Sequence, residues 1–359
     1  MTGGRNRAGE TGPTGTGPGR TGQDAMIDID HVDADRFSPL DIPVLIMEAG
    51  RHRSPGAPLQ AILVGTDLMG ALPPVDPEDF DLLLTTAPVA PLPWVSLSGS
   101  RFQPEIAALE RAIRAAPVAA SVLAQTLRLT ERLPVADGLI AESHAYSMLQ
   151  GGAEFRRWLA GRPQSIGPTC PQGGEARERV RFERDDNHVT LTLDAPHARN
   201  AMCAGMRDAL YAALGNCLDD PGRPRVSLRG MGRCFSTGGD LEEFGAATDP
   251  AVAHVIRTLH SCTRALFALG DRADVRLQGA CIGSGIEIAA AAAIRTATAD
   301  AWFQLPELRM GLIPGAGGTV SIQRAVGRHR ACWLGLTGRR LPAPTALDWG
   351  LVHAIETGA

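Results

Sequence analysis

Three short segments hold residue types that could do chemistry together. They are residues 233–241, RCFSTGGDL; residues 278–288, QGACIGSGIEI; and residues 303–318, FQLPELRMGLIPGAGG. In the first, Gly238 and Gly239 end a predicted strand ahead of a helix start at Asp240. In the second, Gly283-Ser284-Gly285 opens an alanine-rich helix. Glycine lets a backbone turn tightly and lets a ligand approach an amide closely. Amides in a first helical turn have no intrahelical acceptor and sit at the positive end of the dipole. Two such amides, converging, make an oxyanion hole for an enolate or a tetrahedral oxyanion. The same glycines could serve their turns alone. They do not form a dinucleotide-binding fingerprint, because residues 279–285 lack the GxGxxG spacing.

Two acids accompany these turns. Glu287 lies in the first turn of an otherwise apolar helix, where an unpaired carboxylate is costly. Compensation of the helix dipole is the alternative reading. Glu307 follows Pro306 ahead of a glycine-dense loop, where a solvated charge would also be ordinary. Two carboxylates at one site divide acid and base roles when their surroundings separate their pKa values. Spacing alone does not bring these two together.

The elements that must position them alternate strand and helix after residue 179. Residues 189–193 alternate like a strand, 201–218 have helical spacing and 226–228 form a short strand. Residues 251–269 read as one helix, 275–278 as a strand and 284–293 as the alanine-rich helix. Ahead of them, residues 163–178 form a Pro/Gly-rich linker, the sharpest domain boundary in the chain. Residues 101–162 read as a helical region, with starts at Gln103, Pro117 and Pro134 and a short helix over 154–159. Residues 37–100 hold apolar runs between Pro and Gly, read as strands of a small α/β segment of unassigned role. Residues 1–36 are expected to be a disordered tail, since 1–24 are Gly-, Thr- and Arg-rich and no apolar signal segment is present.

Composition removes several functions. The 359 residues, 44% hydrophobic, are enough for a substantial core. A net charge of -4 argues against nucleic-acid binding, and all 35 basic residues are arginine, which excludes a lysine Schiff base. The seven cysteines form no CxxC pair and suggest reduced thiols in a cytoplasmic protein. No HExxH occurs, and no metal site is expected. The longest apolar stretch, residues 286–294, is too short to span a bilayer and contains Glu287.

Residues 179–355 resemble the core of the enoyl-CoA hydratase/isomerase (crotonase) family. The resemblance runs through TLDAPHARNA at 192–201, FSTGGDL, GSGIE and LPELRMGLIPGAGGT, then AVG at 325–327, LTGR at 336–339 and GLV at 350–352. It implies an α/β, crotonase-like ββα superhelix core that binds an acyl-CoA, with no cofactor beyond the coenzyme A thioester itself. Carried over by position, the oxyanion amides fall on Gly239 and Ser284 and the catalytic pair on Glu287 and Glu307. Substrate contacts fall on Ala198, Asn200, Ala201, Gly238, Asp240, Leu241, Gly283, Gly315 and Arg162. Retention of both glutamates favours hydration of a 2-enoyl-CoA. Double-bond isomerisation, thioester hydrolysis and non-catalytic CoA binding are the alternatives.

The family also implies a homotrimer or dimer of trimers, with no nucleic-acid or membrane partner. Residues 105–162 resemble its closing C-terminal helices, as if circularly permuted to precede the core. The chain departs from the pattern at Glu242, where a lysine near the CoA phosphates is usual, at Gly161 and Ala293, and at Arg276 in a usually apolar strand. Arg156, Arg157, Arg162 or Arg199 would then supply the phosphate contacts.

Overall fold

The computed structural model describes residues 34–51, 59–162 and 179–356. The expected linker, 163–178, and most of the expected tail, 1–33, lie outside the described residues. The last residues assigned to that tail, Ala34–Arg36, form a single 3-10 turn.

The four apolar runs of the N-terminal segment become β1 (Val44–Glu48), β2 (Ile62–Asp67), β3 (Leu82–Thr85) and β4 (Val95–Ser96). They pair in parallel, in sequence order, as one four-stranded sheet. β2 and β3 are buried along their whole length, which is why their sequences are continuous apolar runs without alternation.

Four helices follow: α1 (Gly99–Ala115), α2 (Pro117–Arg132), α3 (Val135–Gln150) and α4 (Ala153–Ala160). Proline at the first helical position of α2 costs no hydrogen bond there. α1 starts four residues earlier than its sequence suggests and carries Pro104 inside its opening turns. Leu123 and Leu127 are buried in one continuous core cluster with the side chains of the segment beyond the linker, and Leu139 is buried as well.

The catalytic half begins with β5 (Val180–Asp185), β6 (His188–Leu193), α5 (Ala204–Asp219) and β7 (Arg225–Gly230). The expected helix over 251–269 is two helices, α6 (Pro250–Leu259) and α7 (Cys262–Leu269). Ser261 breaks it by turning its side chain onto the Arg264 amide, an N-cap for the second helix. β8 (Ala273–Leu277), β9 (Ala280–Ile282), α8 (Ser284–Ala289), β10 (Ile294–Ala297) and β11 (Trp302–Gln304) come next.

The alanine-rich helix is thus only six residues long. Beyond it, the buried Arg295 guanidinium donates to the carbonyls of Ala290, Ala292 and Leu351, which ends the helix and pins the next strand. α9 (Gly318–Val326), α10 (Arg328–Thr337), β12 (Leu341–Pro342), α11 (Ala343–Asp348) and β13 (Ala354–Ile355) complete the order.

Two sheets carry this half. One has the order β13-β10-β8-β7-β6-β5, parallel except for the β5–β6 pair. The other is β12-β11-β9, to which Ser236 adds a parallel bridge at Cys281. Arg276, unexpected in its strand, points outward and makes a two-pronged ion pair with Glu356 at 2.7 and 2.8 Å. The expectation of uniformly reduced thiols fails at Cys203, which is disulfide-bonded. Cys217, Cys234, Cys262, Cys281 and Cys332 are free and buried.

The N-terminal sheet and the helices are packed onto this half. Arg328 of α10 is buried and donates to the carbonyls of Phe80 and Pro77 while pairing with Glu78 and Glu131. Glu105 of α1 pairs with Arg339, just past α10.

Candidate active site

Two glycine turns meet at the centre of the molecule. Gly238 and Gly283 both have positive φ, +83° and +49°. A Cβ on Gly238 would lie 2.7 Å from the Ile282 carbonyl oxygen, and one on Gly283 would lie 2.7 Å from Glu307 Oε1. Any side chain at either position would push the turns apart, so glycine is required by space as well as by conformation.

The Met202 amide donates to the Gly238 carbonyl at 2.7 Å, and the Asp240 amide donates to Met202 in turn. Between them the Gly239 amide has no acceptor among the described residues, and neither has that of Ser284, the first residue of α8. These are the two amides assigned to the oxyanion hole. They stand at the ends of adjacent parallel strands, linked through the Ser236 bridge.

Glu287 and Glu307 are both buried, 2% and 7% exposed, so Glu307 is not the solvated charge that an isolated sequence reading allows. Glu287 Oε2 accepts from the amides of Ala316 and Gly318 at 2.7 and 3.1 Å. Glu307 starts a 3-10 turn, Glu307–Met310, and its Oε2 is buried without a partner among the described residues. Burial pushes the Glu287 carboxyl well above the usual carboxylate range, and the Glu307 charge pushes it further. Burial likewise raises Glu307, to about 8. With both carboxyls raised, the pair is not fully ionised near neutrality.

Residues 183–358 match the family model described as Enoyl-CoA hydratase/isomerase. The YngF protein of Bacillus subtilis, which carries an enoyl-CoA hydratase/isomerase name, is 32% identical over 180 residues, 50% of this chain and 69% of that protein. The chain belongs to the enoyl-CoA hydratase/isomerase family. A second B. subtilis protein, named as an enoyl-CoA hydratase, is 34% identical over 46% of this chain and 64% of its own length. Among solved structures, the enoyl-CoA hydratase of Thermoplasma volcanium covers 50% of this chain and 72% of its own at 30% identity, with a TM-score of 0.47. The chain is therefore an enzyme of the acyl-CoA-processing hydratase/isomerase type with the family's α/β core.

The other assigned substrate residues are placed as follows. Gly315 lies in the loop ahead of α9, against the Tyr146 ring. Ala198 and Ala201 flank Asn200, and all three are buried. The Asn200 side chain is spent internally: it accepts from the Ala195 amide and donates to the carbonyls of Met231, Cys234 and Phe235. It holds the loops together. Asp240 caps the turn Leu241–Glu243 by accepting from the Glu242 amide.

Arg162 explains one departure from the family pattern. It pairs with Glu242 at 3.2 Å, donates to the Leu241 carbonyl and lies over the Trp158 ring. The acid at 242 thus has a basic partner brought by α4, and that clamp holds the loop that follows Gly239.

Sequence reading missed a third acid. Glu142 of α3 is 2% exposed and accepts from the amides of Gly317 and Thr319, at 2.6 and 2.7 Å, and from the Thr319 hydroxyl at 2.7 Å. Tyr146, one turn on, faces Gly315 and carries the Arg257 guanidinium over its ring at 4.4 Å. A signal was present: Glu142 lies three residues after Leu139 and four before Tyr146, on the apolar stripe of the helix. Among the described residues, no cluster of acids, His and Cys could hold a metal.

Proposed function

We propose that the protein is an enoyl-CoA hydratase, adding water across a 2-enoyl-CoA double bond. The observation that carries this reading is the pair of buried glutamates, Glu287 and Glu307, beside two acceptor-free amides at abutting glycine turns. The thioester oxygen sits between the Gly239 and Ser284 amides. The ionised member of the glutamate pair takes a proton from water, whose oxygen bonds to C3 as the C2=C3 π electrons move toward the thioester oxygen. The two amides stabilise that enolate, a contribution of ~10²–10³ in rate for each donor. The protonated glutamate then delivers its proton to C2. Water is consumed, and the two carboxyls have exchanged protonation states.

We extend the reading to the helices α1–α4: they take the place of the family's closing C-terminal region, permuted ahead of the core. What supports this is their burial of Leu123, Leu127 and Leu139 and the contacts of α3 and α4 with both active-site loops. A homotrimer in the cytoplasm completes the proposal, and no helix among the described residues is long and apolar enough to cross a membrane.

A screen of acyl-CoA thioesters with mass detection tests the reaction. A gain of one water by a short 2-enoyl-CoA supports hydration. Conversion of a 3-enoyl-CoA without that gain, or release of free coenzyme A, would replace it with isomerisation or hydrolysis. Glu287→Gln and Glu307→Gln should each lower kcat by ~10²–10⁴ with little change in KM. Near-normal turnover in either variant would end the two-carboxylate mechanism.

A further inference from the structure

α9 starts without a capping side chain of its own, because its N-cap is Gly317. Four consecutive amides, those of residues 316–319, nevertheless all have carboxylate acceptors, and the acceptors alternate. Ala316 and Gly318 donate to Glu287, while Gly317 and Thr319 donate to Glu142. The two acids come from different parts of the chain: Glu287 is about thirty residues from the loop, and Glu142 is 175 and 177 residues away. The backbone between them is a comb whose teeth point alternately to two sides. Its conformation, with φ of +110° at Gly317, brings a Cβ position there within 2.4 Å of Thr263, so the loop is held on a third side as well.

We propose that Glu142 is a positioning residue for the reaction: by holding the Gly317 and Thr319 amides on one side of the loop, it turns the Ala316 and Gly318 amides toward Glu287 and fixes that carboxylate. This rests on the reading of Glu287 as an acid–base group. If Glu142 released its two amides, the loop would be free to rotate its peptide planes, and the two donors on Glu287 would lose their alignment. Hydrogen bonds weaken steeply with such misalignment. Glu142 also acts through its charge. The groups facing Glu287 are Glu307, Glu142 and Tyr146 on one hand and the Arg257 guanidinium on the other. Of these, Glu307 and Glu142 both favour the protonated form of Glu287.

Glu142→Gln keeps the shape of the side chain but offers one acceptor oxygen to three donors. With a 2-enoyl-CoA as substrate, kcat should fall ~10–100-fold with KM within about threefold, as for a group that acts on the transition state through another. Two effects on the Glu287 carboxyl then oppose each other: loss of the Glu142 charge lowers its pKa, and misalignment of the Ala316 and Gly318 donors raises it. Glu142→Asp, which restores the charge but not the reach, keeps only the second effect, so its kcat–pH profile should lie at higher pH than those of wild type and Glu142→Gln while the rate stays low. Thr319→Val removes a single donor to Glu142 and should lower kcat by less than Glu142→Gln, and it serves if Glu142→Gln does not fold.

Two measurements stand apart from turnover. Hydrogen exchange at the Ala316 and Gly318 amides should quicken in Glu142→Gln. The Glu287 carboxyl, followed by carbon-13 NMR, should titrate at higher pH in Glu142→Asp than in the wild type. A rate loss with an unmoved pH profile and unchanged exchange at those amides would make Glu142 a structural residue only and overturn the proposal. If the wild-type protein turns over no acyl-CoA thioester, the hydratase reading fails by itself, and the exchange and carbon-13 measurements still decide the role of Glu142.

Discussion

The two halves of the active site are built differently. The oxyanion half is built on residues 236–240 and 280–284, and its geometry follows from strand pairing and two positive-φ glycines within the segment beyond the linker, with the Arg162 clamp on the loop after Gly239 as the helices' contribution. The acid–base half is a composite. Glu287 and Glu307 come from that segment, but the loop that holds Glu287 is itself held by Glu142 of α3, and Tyr146 packs on its Gly315. Backbone donors can be fixed by a local fold, whereas the placing of buried carboxylates here takes side chains from a second layer.

The strongest way to break this contrast is to remove the second layer. Residues 179–359 expressed alone should aggregate or misassemble, because the surfaces that cover Leu123, Leu127 and Tyr146 become exposed together. Residues 99–162 supplied as a separate chain should restore part of the solubility, as read by size-exclusion chromatography. A soluble, monodisperse core with full activity would show that the helices are accessory.

Within the oxyanion half, Gly239→Pro deletes the amide proton and should lower kcat at least ~10³-fold, with the circular-dichroism spectrum of the wild type retained. Turnover within tenfold of wild type would remove Gly239 from the hole.

A smaller effect separates the acid–base half through stability. Burial raises the Glu307 carboxyl to about 8, above the ordinary value of 4.5. A raised carboxyl contributes stability that is full below pH ~4.5 and is lost as pH climbs through the folded value, here on the order of a few kcal/mol. Glu307→Gln lacks that titration. Its stability relative to wild type should therefore increase between pH 5 and pH 8 in urea melts, and a constant difference would show that the carboxyl ionises normally. Smallest of all is Ser284→Ala, expected to change kcat by less than about threefold, because the proposed donor is its amide and the hydroxyl is buried without a partner among the described residues. A severe loss with folding intact would transfer the role to the hydroxyl.

Much of this arrangement was legible in the residues. The strands of the N-terminal segment, the helix starts at Pro117 and, one residue ahead of α3, at Pro134, and the placing of Glu287 beside a glycine turn all follow from local signals. Burial of Glu307 did not, since nothing adjacent to Pro306 shows that Gly283 will lie against its carboxylate. Nor did the short α8: an alanine run reads as helix, and Arg295 ends it by contacts that reach as far as Leu351. Glu142 escaped for a related reason. An acid on an apolar helical stripe signals burial, but its partners lie at 317 and 319, beyond any window that local periodicity can scan. The pairing of Arg162 with Glu242 is similar: Glu242 read as a lost phosphate contact and Arg162 as a replacement for one, and only their proximity joins them.

The long reach of Glu142 also sets an order of events in time. Contacts between residues 142 and 319 close a loop of 177 positions, whereas Glu287 lies only 29 and 31 positions from its amide donors. Chain-closure entropy and topology delay the more distant contact. On refolding from denaturant, the segment beyond the linker would regain its sheets and its thioester cradle first, and the proton-handling loop would lock only after the earlier part of the chain had docked. Recovery of secondary structure would then run ahead of recovery of turnover. A newly made chain meets the opposite schedule, because its helices leave the ribosome first and wait for the loop they are to hold.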